Sequence, residues 1–327
     1  MIFGETAVVL NLLSIVAFSV LLMIVVVSAF IHLKGDSLSR YSASSRRQFY
    51  WLLALSPWFV GLLAVTLLLF SGSQYFPLLG VFELLHWHHP EEFVFSSWHS
   101  LSLGVAVAYG SFLIMRSVKK LIVNHCRVKQ LHALAEPDKN NFFQLDANAP
   151  MAFTAGYFRP QCYMTSTLHS QLTAEEYTIV RLHENEHARC ADPFKKWFFQ
   201  LLTAFFPLAI ARQLNHAMSL AMEQNADAAV VRVITDKAKI AMTLLKVKRL
   251  SLGIHDHYRL EQDALCHFGQ PDREQDTISE RIHYLLSDEK ESVLPIYFIM
   301  LAAIPLSLVC ALSADLFHHV IEYSLSH

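Results

Sequence analysis

Long apolar runs dominate the first third of the chain, and an amphipathic helical pattern replaces them afterwards. Residues 7–33 are apolar and carry no Asp, Glu, Lys or Arg, a run longer than the roughly 20 residues that carry a helix across hydrocarbon. Residues 50–70 form a second such run, and 98–115 a shorter third that contains Trp98 and Tyr109. A fourth covers 293–313. This pattern predicts a mainly α membrane protein with four transmembrane helices. A membrane region spans 1–115 (about 7–33, 50–70 and 98–115), an intervening domain 116–292, the fourth span 293–313, and a short tail 314–327.

Residues 197–211 are apolar too but number about 15, too few for a full span. Lys195, Lys196 and Arg212 flank them, and Pro207 breaks them. They read either as a helix or hairpin that dips toward the bilayer or as a helix packed in the domain core.

The charges orient this arrangement. Every Lys and Arg lies within 34–47 or 116–290. The positive-inside rule therefore places both termini, the 72–98 loop and the tail outside, and the 116–292 domain in the cytoplasm. The first span lacks a basic leading region and a clear cleavage site, and reads as an anchor. Apolar residues make up 54% and charged residues 17%, which excludes an ordinary soluble enzyme. A net charge of −2 gives no electrostatic basis for direct nucleic-acid binding. Five dispersed cysteines, Cys126, Cys162, Cys190, Cys266 and Cys310, imply no disulfide framework. The polar stretch 256–276 reads as a mobile loop.

Within the domain, Thr173, Ala174, Glu175 and Glu176 spell a capping box at the start of a helix. Apolar Tyr177, Ile179, Val180 and Leu182 follow, and Pro193 ends the run near Ala191, after roughly 18 residues. That helix carries His183, Glu184, Asn185, Glu186 and His187. Two imidazoles four residues apart share a face and can hold one Zn2+, while Glu184 takes a proton from the attacking water. A second helical run, 217–233, sets Glu223 and Asp227 one turn apart. Glu223 is the expected third ligand, and Asp227 the carboxylate that holds a ligating histidine by its other ring nitrogen. Alone, such an acidic pair would more often be solvated surface.

Two further clusters are candidates. Gln161, Cys162, Tyr163 and Met164, after a bend at 158–160, read as an edge strand that pairs with substrate, or as an ordinary hairpin strand. His86, His88 and His89 lie in the outer loop and could bind a metal or sense pH, although Trp and His are also at home among lipid headgroups.

Together, the 151–160 segment, Cys162 to Met164, the capped HExxH helix, Arg189, Asp192 with Pro193, Glu223 with Asp227, and Glu280 to Leu286 resemble the integral-membrane metallopeptidases of the BlaR/MecR type. The resemblance implies an α+β gluzincin-type zinc domain in a bacterial inner membrane. Its implied activity is cleavage of a protein substrate such as a transcriptional repressor in signal transduction. The penicillin-binding sensor of the beta-lactam receptors has no counterpart in 314–327, so a signal is expected through the 72–98 loop, the bilayer, a homodimer or a separate sensor protein. HtpX-like and CAAX-type proteases, acting in quality control or processing, share much of the motif set, and a non-proteolytic transducer is a third class. Glu186 departs from the family's usual small or apolar residue and is expected to crowd the site or alter its charge.

Overall fold

A computed structural model of the chain describes residues 1–71, 92–93, 98–137, 142–252, 271–287 and 292. The expected fourth span at 293–313, the tail, and the His86, His88 and His89 cluster lie outside these residues.

The chain opens with β1 (Ile2–Phe3), then α1 (Glu5–Lys34), a 3-10 turn over Gly35–Arg40, and α2 (Ala43–Ser71). At Gly61 the two helices come close. An added Cβ there would lie 3.2 Å from Val20 Cγ2 and 3.3 Å from the Val16 carbonyl oxygen, so a small residue permits the approach. β2 (Glu92–Phe93) pairs antiparallel with β1, and α3 (Trp98–Leu134) follows. α1, α2 and α3 each contain a segment long and apolar enough to cross a membrane. The 37 residues of α3 rise about 55 Å, well beyond a hydrocarbon core of about 30 Å. α3 thus runs unbroken through Arg116 and carries the basic residues after it toward the domain.

Four strands follow: β3 (Glu136–Pro137), β4 (Phe142–Leu145), β5 (Ala152–Ala155) and β6 (Gln161–Thr165), in the spatial order β3-β4-β6-β5. β4 pairs parallel with β6, and β5 pairs antiparallel with it. β6 is therefore an inner strand, and this corrects the expectation that Gln161, Cys162, Tyr163 and Met164 form the edge. Their backbone groups face strands on both sides, and the edge beside them is β5. Gly156, with φ at +105°, makes the bend between the two strands; a Cβ there would meet the Arg159 carbonyl oxygen at 2.7 Å.

Alternation along β6 splits the core into two layers. Cys162 and Met164 pack with Phe142, Leu168 and Val180 on one face. Tyr163, fully buried, packs with Leu145 and Ala155 on the other, beside Val128 and Leu131 of α3.

The remaining described elements are helices: α4 (Ser166–Gln171), α5 (Ala174–Arg189), α6 (Asp192–Thr203), α7 (Leu208–Val231), α8 (Lys237–Leu252) and α9 (Pro271–Leu286). α9 begins inside the stretch read as a loop, with Pro271 in the first helical position, where its missing N–H costs nothing. The apolar stretch 197–211 is the end of α6, a turn, and the start of α7, with Pro207 as the cap between them. Its buried face, with Phe199, Leu202, Phe206, Ile210 and Ala211, joins Val20, Ile24, Phe49 and Leu53 of α1 and α2 in one cluster.

Candidate metal centre

The capping box of α5 forms as the sequence predicts: the Thr173 hydroxyl accepts from the Glu176 amide, and Glu176 Oε2 accepts from the Thr173 amide at 2.8 Å. The helix ends at Arg189. Ala191 then turns left-handed, with φ 52°, and Asp192 and Pro193 open α6. This turn brings the Asp192 carboxylate back toward α5.

His183 and His187 are buried on one face of α5, with their Nε2 atoms 3.2 Å apart. Glu223, from α7, places Oε2 3.4 Å from His183 Nε2 and 3.5 Å from His187 Nε2. The structure thus brings the three expected ligands together, with their donor atoms within 4.8 Å of one another. A carboxylate lies behind each ring. Asp227 Oδ1 lies 3.0 Å from His183 Nδ1, where the one-turn spacing from Glu223 predicts a carboxylate. Asp192 Oδ2 lies 2.8 Å from His187 Nδ1. A carboxylate behind each imidazole orients the ring and raises its basicity toward a cation.

Cations frame the carboxylates. Arg281 of α9 forks onto Asp227, with Nη2 at 2.7 Å from Oδ1 and Nε at 2.9 Å from Oδ2, and its Nη1 lies 3.3 Å from Glu223. Lys196 Nζ donates to Glu223 Oε1 at 3.2 Å. Burial by itself would raise the pKa of Glu223, but His187, Lys196 and His183 outweigh it and hold the carboxyl well below its usual range. Asp227 feels the same penalty and is lowered to about 2 by Arg281 and His183. Burial opposes the charged form of His187, yet Glu223 and Asp192 raise it to about 10. His183 is raised too, by Asp227 and Glu223 against burial. Two imidazole nitrogens and an ionised carboxylate oxygen, all facing one point, form a donor set suited to a divalent cation.

Glu184 is buried beside this triad, and the Thr154 hydroxyl of β5 lies 2.8 Å from its Oε2 and 2.9 Å from its carbonyl oxygen. Glu186 pairs with its neighbour on the same helix. Its carboxylate takes a fork from Arg189, at 2.6 and 2.7 Å. Cys162, next to Thr154, is pushed up to about 12 by burial and stays a neutral thiol. A cleft of about 720 Å³ opens over the donors, with Ala152, Phe153 and Thr154 of β5 along one wall.

The sequence alone assigns no role to Lys196, and Asp192, Thr154 and Arg281 enter only as parts of the resemblance. Asp192, directly before a proline and five residues after His187, carried a usable local signal. The other contacts join residues distant in sequence.

Helices able to span a bilayer and a cluster of two buried histidines and the half-buried Glu223, with a glutamate beside it, suit a membrane-associated metallopeptidase. The sequence profile of the BlaR1 peptidase M56 family matches residues 103–265. The chain belongs to that family. No curated protein and no solved structure matches it.

Proposed function

We propose that the protein is a zinc-dependent endopeptidase of the HExxH-plus-Glu, gluzincin type, held in the bacterial inner membrane. It cleaves a protein substrate, such as a transcriptional repressor, at the cytoplasmic membrane face, with one zinc ion per chain. The donor geometry carries this reading. A tetrahedral zinc site with bonds of about 2.0–2.1 Å has ligand-to-ligand edges of about 3.3–3.4 Å. The three edges among His183 Nε2, His187 Nε2 and Glu223 Oε2 are 3.2, 3.4 and 3.5 Å. His183, His187 and Glu223 would hold the ion, which supplies Lewis-acid polarisation of the scissile carbonyl and makes water acidic enough to attack near neutral pH.

The chain's own residues perform the rest. Glu184 accepts the proton of the attacking water as its oxygen bonds to the carbonyl carbon, then passes that proton to the amine as the C–N bond breaks. Thr154 keeps the Glu184 carboxylate aimed into the cleft. The open side of β5 offers backbone groups to an extended substrate strand, which fixes the scissile bond over the donors. Asp192 and Asp227 hold the imidazole planes. The cytoplasmic placement rests on the distribution of Lys and Arg and gains support from the basic 34–47 segment, whose Arg46 bonds to Gln224 beside Glu223.

Comparing all protein fragments in cells expressing wild type or Glu184→Gln tests the proposal. A few Glu184-dependent cleavages are expected, identifying a regulatory substrate. Broad degradation of misfolded membrane proteins would instead indicate quality control. Identical fragment patterns, with zinc bound in both, would contradict the catalytic assignment.

A further inference from the structure

The cleft does not stop at the metal donors. Arg212, His216, Ser219 and Glu223 all line it and recur four, three and four residues apart, on one face of α7. From Glu223 back to Arg212 the helix rises about 16 Å. Lys120 of α3 and Lys196 of α6 contribute to the same lining. Arg212 and Lys120 are exposed, and no carboxylate among the described residues pairs with Arg212.

The location makes this cationic wall unusual. The turn between α6 and α7 rests on the spanning helices: the Phe205 ring meets Trp58 of α2 with centroids 4.9 Å apart and comes within 3.8 Å of a Cβ built on Gly110 of α3. Arg212 is only about 7 Å along α7 from Pro207. A cation beside membrane-spanning helices is costly unless it faces water or a partner, and such residues usually mark a functional path.

β5 gives the wall a direction. Its C-terminal end leads to Tyr157, whose hydroxyl accepts from Asn124 of α3 at 2.9 Å and whose ring lies 6.3 Å from Trp197 of α6. Its first residue, Ala152, packs instead in the cluster that holds Val247 and Leu250 of α8. A peptide paired antiparallel to β5, the slightly more stable arrangement, would lay its N-terminal half along the α3 and α6 side. A reach of 16 Å is about five extended residues.

We propose that the Lys120 and Arg212 wall is a substrate-recognition track, selecting a protein segment with an Asp or Glu about five residues N-terminal to the scissile bond. The inference rests on the peptidase reading of the metal centre and adds the substrate class to it. A carboxylate of the substrate, rather than a lipid phosphate, is the favoured partner because Arg212 shares one continuous cleft and one helix face with Glu223.

Two measurements on the full chain in detergent test the track. In the first, zinc-loaded protein cleaves a mixture of proteome-derived peptides and the cut sites are read by mass spectrometry. Wild type should favour acids four to six residues before the cut, and Arg212→Glu with Lys120→Glu should lose that preference while still cutting peptides that lack acids. The second measures binding of labelled acidic and neutral peptides in a Glu184→Gln background, so it is independent of hydrolysis. Arg212→Glu should weaken the acidic peptide about ten-fold and leave the neutral one unchanged. If acidic peptides bind through Arg212 but nothing is cut, the track stands and the peptidase reading fails. Equal binding of both peptides, acid preference after the cut, or Arg212-dependent binding of phosphatidylglycerol nanodiscs without peptide selectivity would overturn the track.

Discussion

Arg46 and Gln224, 178 positions apart in sequence, share a buried hydrogen bond in which the guanidinium Nη2 donates to the amide Oε1. Arg46 also donates from Nε to the Tyr41 carbonyl oxygen at 3.0 Å and lies 5.5 Å over the Tyr284 ring. Gln224 follows Glu223, and Tyr284 lies one turn beyond Arg281. The N-terminal end of α2 is thereby fastened to α7, which carries Glu223, and to α9, which carries Arg281.

Arg46→Met should therefore loosen the metal centre from a distance. It leaves Gln224 Oε1 without its donor, a loss on the order of 1.5–3 kcal/mol for a hydrogen bond to a charged group. A lower thermal midpoint in detergent is expected, with faster zinc loss to a chelator. Unchanged chelation kinetics would show that α2 does not support Glu223.

Asp192→Asn and Asp227→Asn should each weaken zinc binding by about 10–100-fold, the usual effect of removing a carboxylate behind a ligating imidazole. The Asp227 variant should be worse, because it also releases the Arg281 fork. Competition with a zinc-binding dye measures both.

Thr154→Val removes the hydroxyl that holds Glu184 while keeping side-chain volume. The loss of one aligning hydrogen bond, about 1.4 kcal/mol in the barrier, lowers kcat about ten-fold. Zinc content should stay the same, since Thr154 touches none of the three donors. A fall in zinc with kcat would assign Thr154 to the metal site instead.

Proton competition sets the pH dependence of loading. Without a cation, His187 is raised to about 10 and His183 is raised as well, so protons compete for these ring nitrogens and His187 favours the imidazolium at neutral pH. Zinc must displace those protons. Its apparent affinity should rise with pH and fall about ten-fold per unit of acidification for each proton released. Titrations at pH 6, 7 and 8 in the presence of a competing chelator check the slope.

The parts of the site that were legible in the sequence are those governed by one helical period. His183 with His187 and Glu223 with Asp227 are both four-residue pairs, and Thr173 with Glu176 marks where α5 begins. Asp192, directly before Pro193, carries a local signal, but its contact with His187 depends on the left-handed turn at Ala191. Strand placement was harder still. Residues 152–155 and 161–165 are similar short apolar strands, and the parallel partner β4 decides which of them is inner. No local pattern reports that pairing. Arg46 reads as one more cation in a basic loop until the fold brings it against Gln224.

Restoring the stripped enzyme with measured zinc tests the central claim most directly. The protein, freed of metal by a chelator and returned to detergent buffer, receives zinc in steps while hydrolysis of a peptide substrate is followed. Activity should rise linearly and level off at one zinc per chain, with Glu184→Gln binding the same zinc but staying inactive. Hydrolysis that persists without metal, or that is equal in the Glu184→Gln protein, would contradict the account.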